Sequence, residues 1–93
     1  MDTRQAFGKA LQQVRKAKGL TQEDFSDVSS RTYLSTLERG LKSPTLDKIE
    51  ALSEALGVHP LTPVDLTYTT ARKGQNLDRL FEKIKRDIAS LSS

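Results

Sequence analysis

Between Gly19 and Gly40 the chain spells two short helices with almost no room between them. Thr21 can cap the N–H groups of the turn that follows it while Asp24, three residues on, reaches back, a capping-box arrangement that starts a helix at Gln22. Ser29 or Ser30 can start the next helix, which runs through Leu34 and Leu37 and stops at Gly40, the residue type that best adopts the left-handed conformation after a helix end. Helices this short are marginal by themselves. Such a pair exists to present one of its members. The turn between them, Val28-Ser29-Ser30, holds no glycine.

The rest of the chain supplies the frame. Phe7, Ala10, Leu11 and Val14 recur at helical spacing behind Asp2 or Thr3 as a cap, which predicts a first helix over about 3–17, ended by Gly19. After the loop Leu41-Lys42-Ser43-Pro44, Thr45 caps a fourth helix whose apolar stripe is Leu46, Ile49, Leu52, Ala55 and Leu56, closed by Gly57. Pro60 and Pro63 leave room for a short fifth helix, capped at Thr62 with Pro63 at its first position. The polar stretch 71–75 reads as a linker. A last helix starts at Asn76, and Leu77, Leu80, Phe81, Ile84, Ile88 and Leu91 form one continuous stripe along it. The expected architecture is all-α: a five-helix domain over 1–70, a linker over 71–75 and an amphipathic helix over 76–93.

Composition narrows the chemistry. Ninety-three residues make one small domain with one small core. There is no cysteine, so neither a disulfide nor a thiolate metal site is available, in keeping with a reducing cytoplasm. No export signal is legible at the start, and nothing approaches the roughly 18 consecutive apolar residues of a membrane span. His59 is the lone histidine and stands beside a proline; no metal-ligand cluster, phosphate-binding glycine loop or nucleophile motif accompanies it. The expectation is a binding protein with no catalytic centre, metal or cofactor. Charge is uneven along the chain: residues 1–45 carry eight basic against five acidic side chains, residues 46–69 one against four, and residues 70–93 six against three. A basic end of this kind suits phosphate, and equally an ordinary solvated surface.

Taken together, the residues from Phe7 to about Leu61 resemble the Xre and phage repressor/Cro-like helix-turn-helix family of DNA-binding domains. The resemblance rests on Arg15 with Lys18-Gly19-Leu20-Thr21-Gln22-Glu23, on Tyr33-Leu34-Ser35 with Leu37-Glu38-Arg39-Gly40, on Ser43-Pro44-Thr45-Leu46 and on Ala55-Leu56-Gly57-Val58. It implies five helices in this order, double-stranded DNA as the partner and a role in transcription, as a repressor. Members of the family commonly carry a glycine and an apolar residue in the turn before the recognition helix. Here that turn is about two residues shorter.

In helix-turn-helix proteins the amino-terminal part of the second helix of the pair reaches base edges in the major groove. In this chain that helix is the third, over about 30–39, and the residues are Arg31, Thr32, Ser35 and Thr36. Arg31 is the strongest candidate, since a guanidinium can donate two parallel hydrogen bonds to guanine. Gln22, at the positive end of the preceding helix, is placed for a phosphate, with Thr21 beside it. Tyr33 can set its hydroxyl on a phosphate or lie flat over its neighbours. Arg39, Lys42 and Ser43 follow the recognition helix, where the family's docking mode implies backbone contacts. The resemblance also implies a structural ion pair between Arg15 and Glu38.

Three fates are open to the carboxy-terminal stripe: folding back on the domain, pairing with its copy, or covering another protein. Self-pairing is favoured, because one reader covers about half a turn of groove whereas a symmetric dimer reads two half-sites about 34 Å apart in a palindromic operator. A membrane-surface role is the weaker alternative. The competing class of function is a protein-interaction module, such as an antitoxin or adaptor, built from the same helices.

Overall fold

The computed structural model describes residues 1–72 and 76–91. Six helical segments follow one another without a strand among the described residues: α1 (Thr3–Ala17), a 3-10 turn (Gln22–Phe25), α2 (Arg31–Glu38), α3 (Leu46–Leu56), α4 (Leu61–Ala71) and α5 (Leu77–Leu91). No described helix is long and apolar enough to cross a membrane.

Local chemistry sets most of these bounds. Asp2, not Thr3, caps α1: its carboxylate accepts from the Gln5 N–H at 2.8 Å while the Gln5 carboxamide accepts from the Asp2 N–H at 3.2 Å. Ser30, not Ser29, caps α2, accepting from the Tyr33 N–H at 3.1 Å. Thr45 caps α3, and the Asn76 side chain accepts from the Arg79 N–H at the start of α5. Gly40 closes α2 at φ 73°, and a Cβ there would also lie 2.8 Å from the Gln5 Cα, so both its conformation and its surroundings require glycine.

The core is built from Phe7, Leu11 and Val14 of α1, Phe25, Leu34 and Leu37 of the central pair, and Leu52 and Leu56 of α3. Leu20, Val28, Tyr33, Ile49, Val58 and Leu66 seal its edges. α1 is the hub, packing most extensively on α4 and crossing α2.

Three expectations are corrected. The segment starting at Gln22 is one 3-10 turn rather than an α-helix. Its capping box forms, but Phe25 is fully buried and its carbonyl accepts from both the Val28 and Ser29 N–H groups, turning the chain through Ser26, Asp27, Val28 and Ser29, all modest helix formers. In α3, Leu46 and Ala55 are exposed and the covered face is Ile49, Leu52, Ser53 and Leu56. The fifth helix, α4, begins earlier than Thr62 and is not short. The His59 Nδ1 accepts from the Leu61 N–H at 3.0 Å in place of a hydroxyl cap, and Pro63 sits at the third position, where its missing N–H had no intrahelical partner to lose. Because α4 runs through Ala71, the first residue of the expected linker is helical, and 73–75 lie outside the described residues.

Within α4, Asp65 is buried. Desolvation raises its carboxyl pKa above the ordinary value, and the nearby His59 opposes that shift. The folded state therefore binds this proton more tightly than the unfolded chain, so ionised Asp65 costs stability, and the cost grows as pH rises from the ordinary carboxylate range through the raised value. Asp65→Asn is expected to raise the Tm at pH 7, with the gain over the parent shrinking toward nothing as pH falls well below the ordinary Asp value of about 3.9. Thermal scans of both proteins across that range check it; a gain that stays constant with pH would refute the assignment.

Candidate nucleic-acid interface

α2 is amphipathic over two turns. Leu34 and Leu37 point inward and are fully buried, which turns Arg31 and Thr32 out to solvent and leaves Ser35 and Thr36 half-exposed beside them. Arg31, Thr32 and Ser35 line one shallow polar concavity together with Gln22 from the 3-10 turn and Arg39 just past the end of α2. Thr36 stands one turn after Thr32 and donates its hydroxyl to the Thr32 carbonyl at 2.8 Å, so its oxygen remains an acceptor and its methyl a contact surface.

The helix is fixed to the domain at its carboxy-terminal end. Arg15 Nε and one terminal nitrogen donate to the two Glu38 carboxylate oxygens at 2.7 and 2.9 Å, and the other terminal nitrogen donates to the Leu20 carbonyl at 2.8 Å. All three guanidinium nitrogens are thereby used. The pair is buried, with side-chain exposures of 9% and 4%. Hydrogen bonding to Glu38, reinforced by its charge, holds the Arg15 pKa above its ordinary value against the opposing pull of burial. Gln22 joins the same cluster, its Nε2 donating to Glu38 at 3.2 Å. One cluster thus ties together α1, the 3-10 turn and α2.

At the other end of α2 the glycine-free turn closes without strain. No described residue other than glycine has a positive φ. Lys48 of α3 reaches back 20 residues to donate to the Val28 carbonyl at 3.0 Å, and its ammonium lies 5.2 Å from the centre of the Tyr33 ring. Tyr33 is half-buried, packed against the core edge. With Ser29, Ser30, Thr45 and Lys48 it lines a second hollow, separate from the one holding Arg31.

The other candidates scatter. Thr21 is exposed and engaged in its capping box with Asp24. Lys42 is exposed in the loop after α2. Ser43 lines a different, apolar groove with Phe7, Pro44, Ile49, Val64 and Tyr68. Two residues that sequence reasoning passed over help place α2, Lys48 as the turn's latch and Gly8 of α1, while Gln22, singled out in the sequence for a phosphate, also braces Glu38. A Cβ on Gly8 would lie 2.5 Å from the Glu38 carbonyl oxygen and 2.6 Å from that of Leu37, so the two helix backbones touch there. Only a glycine inside a predicted helix, where its intrinsic cost needs a packing reason, signalled this in advance.

Residues 11–62, from α1 to the start of α4, match the protein family described as Helix-turn-helix. The chain belongs to that family, in its Xre-like branch. It is 43% identical over 72 residues to the uncharacterized HTH-type transcriptional regulator y4dJ of Sinorhizobium fredii, covering 72% of this chain and 94% of the relative. It is 42% identical over 64 residues to the control protein C.BamHI of Bacillus amyloliquefaciens, covering 66% and 79%. Identity to the immunity repressor protein of Bacillus phage phi105 is 25% over 91 residues, covering 87% of this chain and 63% of the repressor.

Proposed function

We propose that this protein is a sequence-specific double-stranded DNA-binding transcriptional regulator of the cytoplasm, a dimeric repressor that lays α2 in the major groove of a palindromic operator. The observation that carries the reading is α2 itself: a helix with one face sunk in the core, its far end clamped by the buried Arg15–Glu38 pair, and Arg31, Thr32, Ser35 and Thr36 turned outward. A helix held this rigidly can test base edges, because its side chains arrive with little freedom left to lose. The relatives support it, two of them being named for regulation and one for repression.

In this reading residues 1–70 form the DNA-binding domain. Arg31 reads a guanine, Thr32 and Thr36 meet a base or a thymine methyl, and Ser35 adds a weaker contact. Gln22, Thr21, Tyr33, Arg39, Lys42 and Ser43 approach phosphates and set register rather than sequence. Gln22 retains one N–H for this purpose, since the other is given to Glu38. No cofactor takes part. The stripe of Leu77, Leu80, Phe81, Ile84, Ile88 and Leu91 joins two copies.

Selection of binding sites from random duplexes tests the whole proposal, with a palindrome as the expected product. On the selected site, Arg31→Ala is expected to weaken binding about 10- to 100-fold and to relax base preference at one position of each half-site. Lys42→Ala should weaken all sequences alike and flatten the dependence of log affinity on log salt by about 0.9 for each phosphate that the side chain neutralises in the parent. If the parent binds no duplex even at low salt, its helices serve a protein partner instead.

A further inference from the structure

Along α5 the apolar residues Leu77, Phe81, Ile84, Ile88 and Leu91 are separated by four, three, four and three positions, the spacing that keeps one seam facing a second helix along its whole length. No residue of α5 is buried, and these five range from 38% to 82% exposed. α4 is its main neighbour, and Leu80 is the one residue of α5 that is even half-buried. Among the described residues, the domain thus leaves the seam open to solvent.

The residues flanking the seam give it an orientation. Asp78 and Lys85 lie on one flank, seven positions apart; Leu80 and Asp87 lie on the other, where Asp87 also accepts from Lys83 at 2.5 Å. When two identical helices pair in parallel, unlike flanks meet, which sets Lys85 against an apolar Leu80. When they pair antiparallel, like flanks meet. We infer that α5 pairs antiparallel with α5 of a second copy, about a two-fold axis between Glu82 and Lys83, so that Asp78 faces the partner's Lys85 and Lys85 faces the partner's Asp78. In this register Phe81 packs on the partner's Ile84 and Leu77 on the partner's Ile88, so four apolar layers and two opposite-charge pairs form at once. The inference rests on the dimeric reading above and adds its geometry: either direction sets Leu80 against a charge, Lys85 in the parallel pair and Asp87 in the antiparallel one, but only the antiparallel pair brings opposite charges together.

Sedimentation equilibrium of the full chain tests it without DNA. The parent is expected to dimerise. Asp78→Lys and Lys85→Asp, each placing two like-charge contacts in the homodimer, are expected to weaken self-association at least about tenfold, as flanking charges do when they set partner choice. An equimolar mixture of the two single variants should form a heterodimer, and the doubly exchanged D78K/K85D chain should dimerise like the parent. Asp78→Lys also removes an acid from the first turn of α5, so helix content is followed by circular dichroism; rescue on mixing cannot come from that loss. Single variants that dimerise as tightly as the parent, or a mixture without rescue, overturn the antiparallel register and leave the dimer standing. A monomeric parent overturns both, while DNA binding through Arg31 is decided by its own assay.

Discussion

Glu38→Ala is expected to destabilise the domain by about 3–5 kcal/mol, the range seen when one partner of a buried ion pair is removed and the other charge is left uncompensated. Its two carboxylate oxygens take two hydrogen bonds from Arg15 and one from Gln22, in a setting only 4% exposed. Alanine offers none of these acceptors, and the Arg15 guanidinium keeps only the Leu20 carbonyl. At about 4–8 °C per kcal/mol for a domain of this size, the Tm should fall by roughly 12–40 °C. Because such domains have only about 5–15 kcal/mol to lose, the variant stands close to unfolding at physiological temperature. Glu38→Gln, which keeps an oxygen acceptor but not the charge, should fall between alanine and the parent. Replacing both partners by apolar residues of similar length, R15M/E38L, should recover most of the loss, since what alanine exposes is chiefly the cost of a stranded charge. The recovered protein should still bind DNA less well, because the pair fixes where α2 ends. A Tm within about 2 °C of the parent for Glu38→Ala would mean that the pair contributes little to stability.

The behaviour of this cluster explains which parts of the molecule were legible in the sequence. Helix starts and stops are local: a side-chain acceptor three residues before an N–H, or a glycine that adopts positive φ, acts over one turn of chain, so α1, α2 and α3 could be bounded to within a residue or two from Asp2 or Thr3, Ser29 or Ser30, Thr45, Gly19, Gly40 and Gly57, and the fold chose Asp2 and Ser30. Where two local signals compete, the outcome depends on packing. Thr21 and Asp24 open a turn correctly, but burial of Phe25 directs the chain away before an α-helix can form. The Pro60 and Pro63 pair looks like punctuation for a short helix, yet both fall within or before a first turn, where a missing N–H costs nothing, and α4 continues to Ala71. Apolar periodicity marks a face without saying how much of it is covered, which is why Leu46 stands 83% exposed at the edge of a stripe whose centre is buried.

Contacts between distant segments were the least legible. Arg15 and Glu38 are 23 residues apart, and only resemblance to a family linked them in the sequence. Lys48 reaches Val28 across 20 residues, and nothing in its own neighbourhood distinguishes it from any other lysine on a helix. The candidate base-reading residues follow from α2's own inward face, since fixing Leu34 and Leu37 in the core leaves Arg31 and Thr32 pointing out. The phosphate candidates depend on how three loops are arranged around that helix, and the fold separates Tyr33 and Ser43 from the hollow that holds Gln22, Arg31 and Arg39.

Gly8→Ala reverses the sign that helix propensity alone would give. Gly8 lies inside α1, and at an open helical position alanine is more stable than glycine by about 1 kcal/mol. Here the added methyl carbon would sit 2.5 Å from the Glu38 carbonyl oxygen, 2.6 Å from the Leu37 oxygen and 2.9 Å from the Glu38 carbonyl carbon, all backbone atoms that no rotamer change can withdraw. The last turn of α2 must move away from α1, and overpacking of this kind costs about 1–3 kcal/mol at ordinary core sites, with contact against rigid backbone at or above the upper end. The net expectation is a loss of about 2 kcal/mol, felt as a Tm lower by roughly 8–16 °C. The displaced residue is Glu38, so the movement also pulls its carboxylate away from Arg15 and Gln22. Gly8→Ala and Glu38→Ala therefore disturb the same cluster, and the two substitutions should combine to less than their sum. Gly19→Ala is the control: nothing lies within 4 Å of a Cβ there, so it meets only the strain of φ 71° and should cost about 1 kcal/mol. Thermal scans of the three single variants and of the Gly8→Ala, Glu38→Ala double variant decide it. A Gly8→Ala protein as stable as the parent, or more so, would mean that α2 can retreat from α1 without cost, and that its position is not set by the contact of these two backbones.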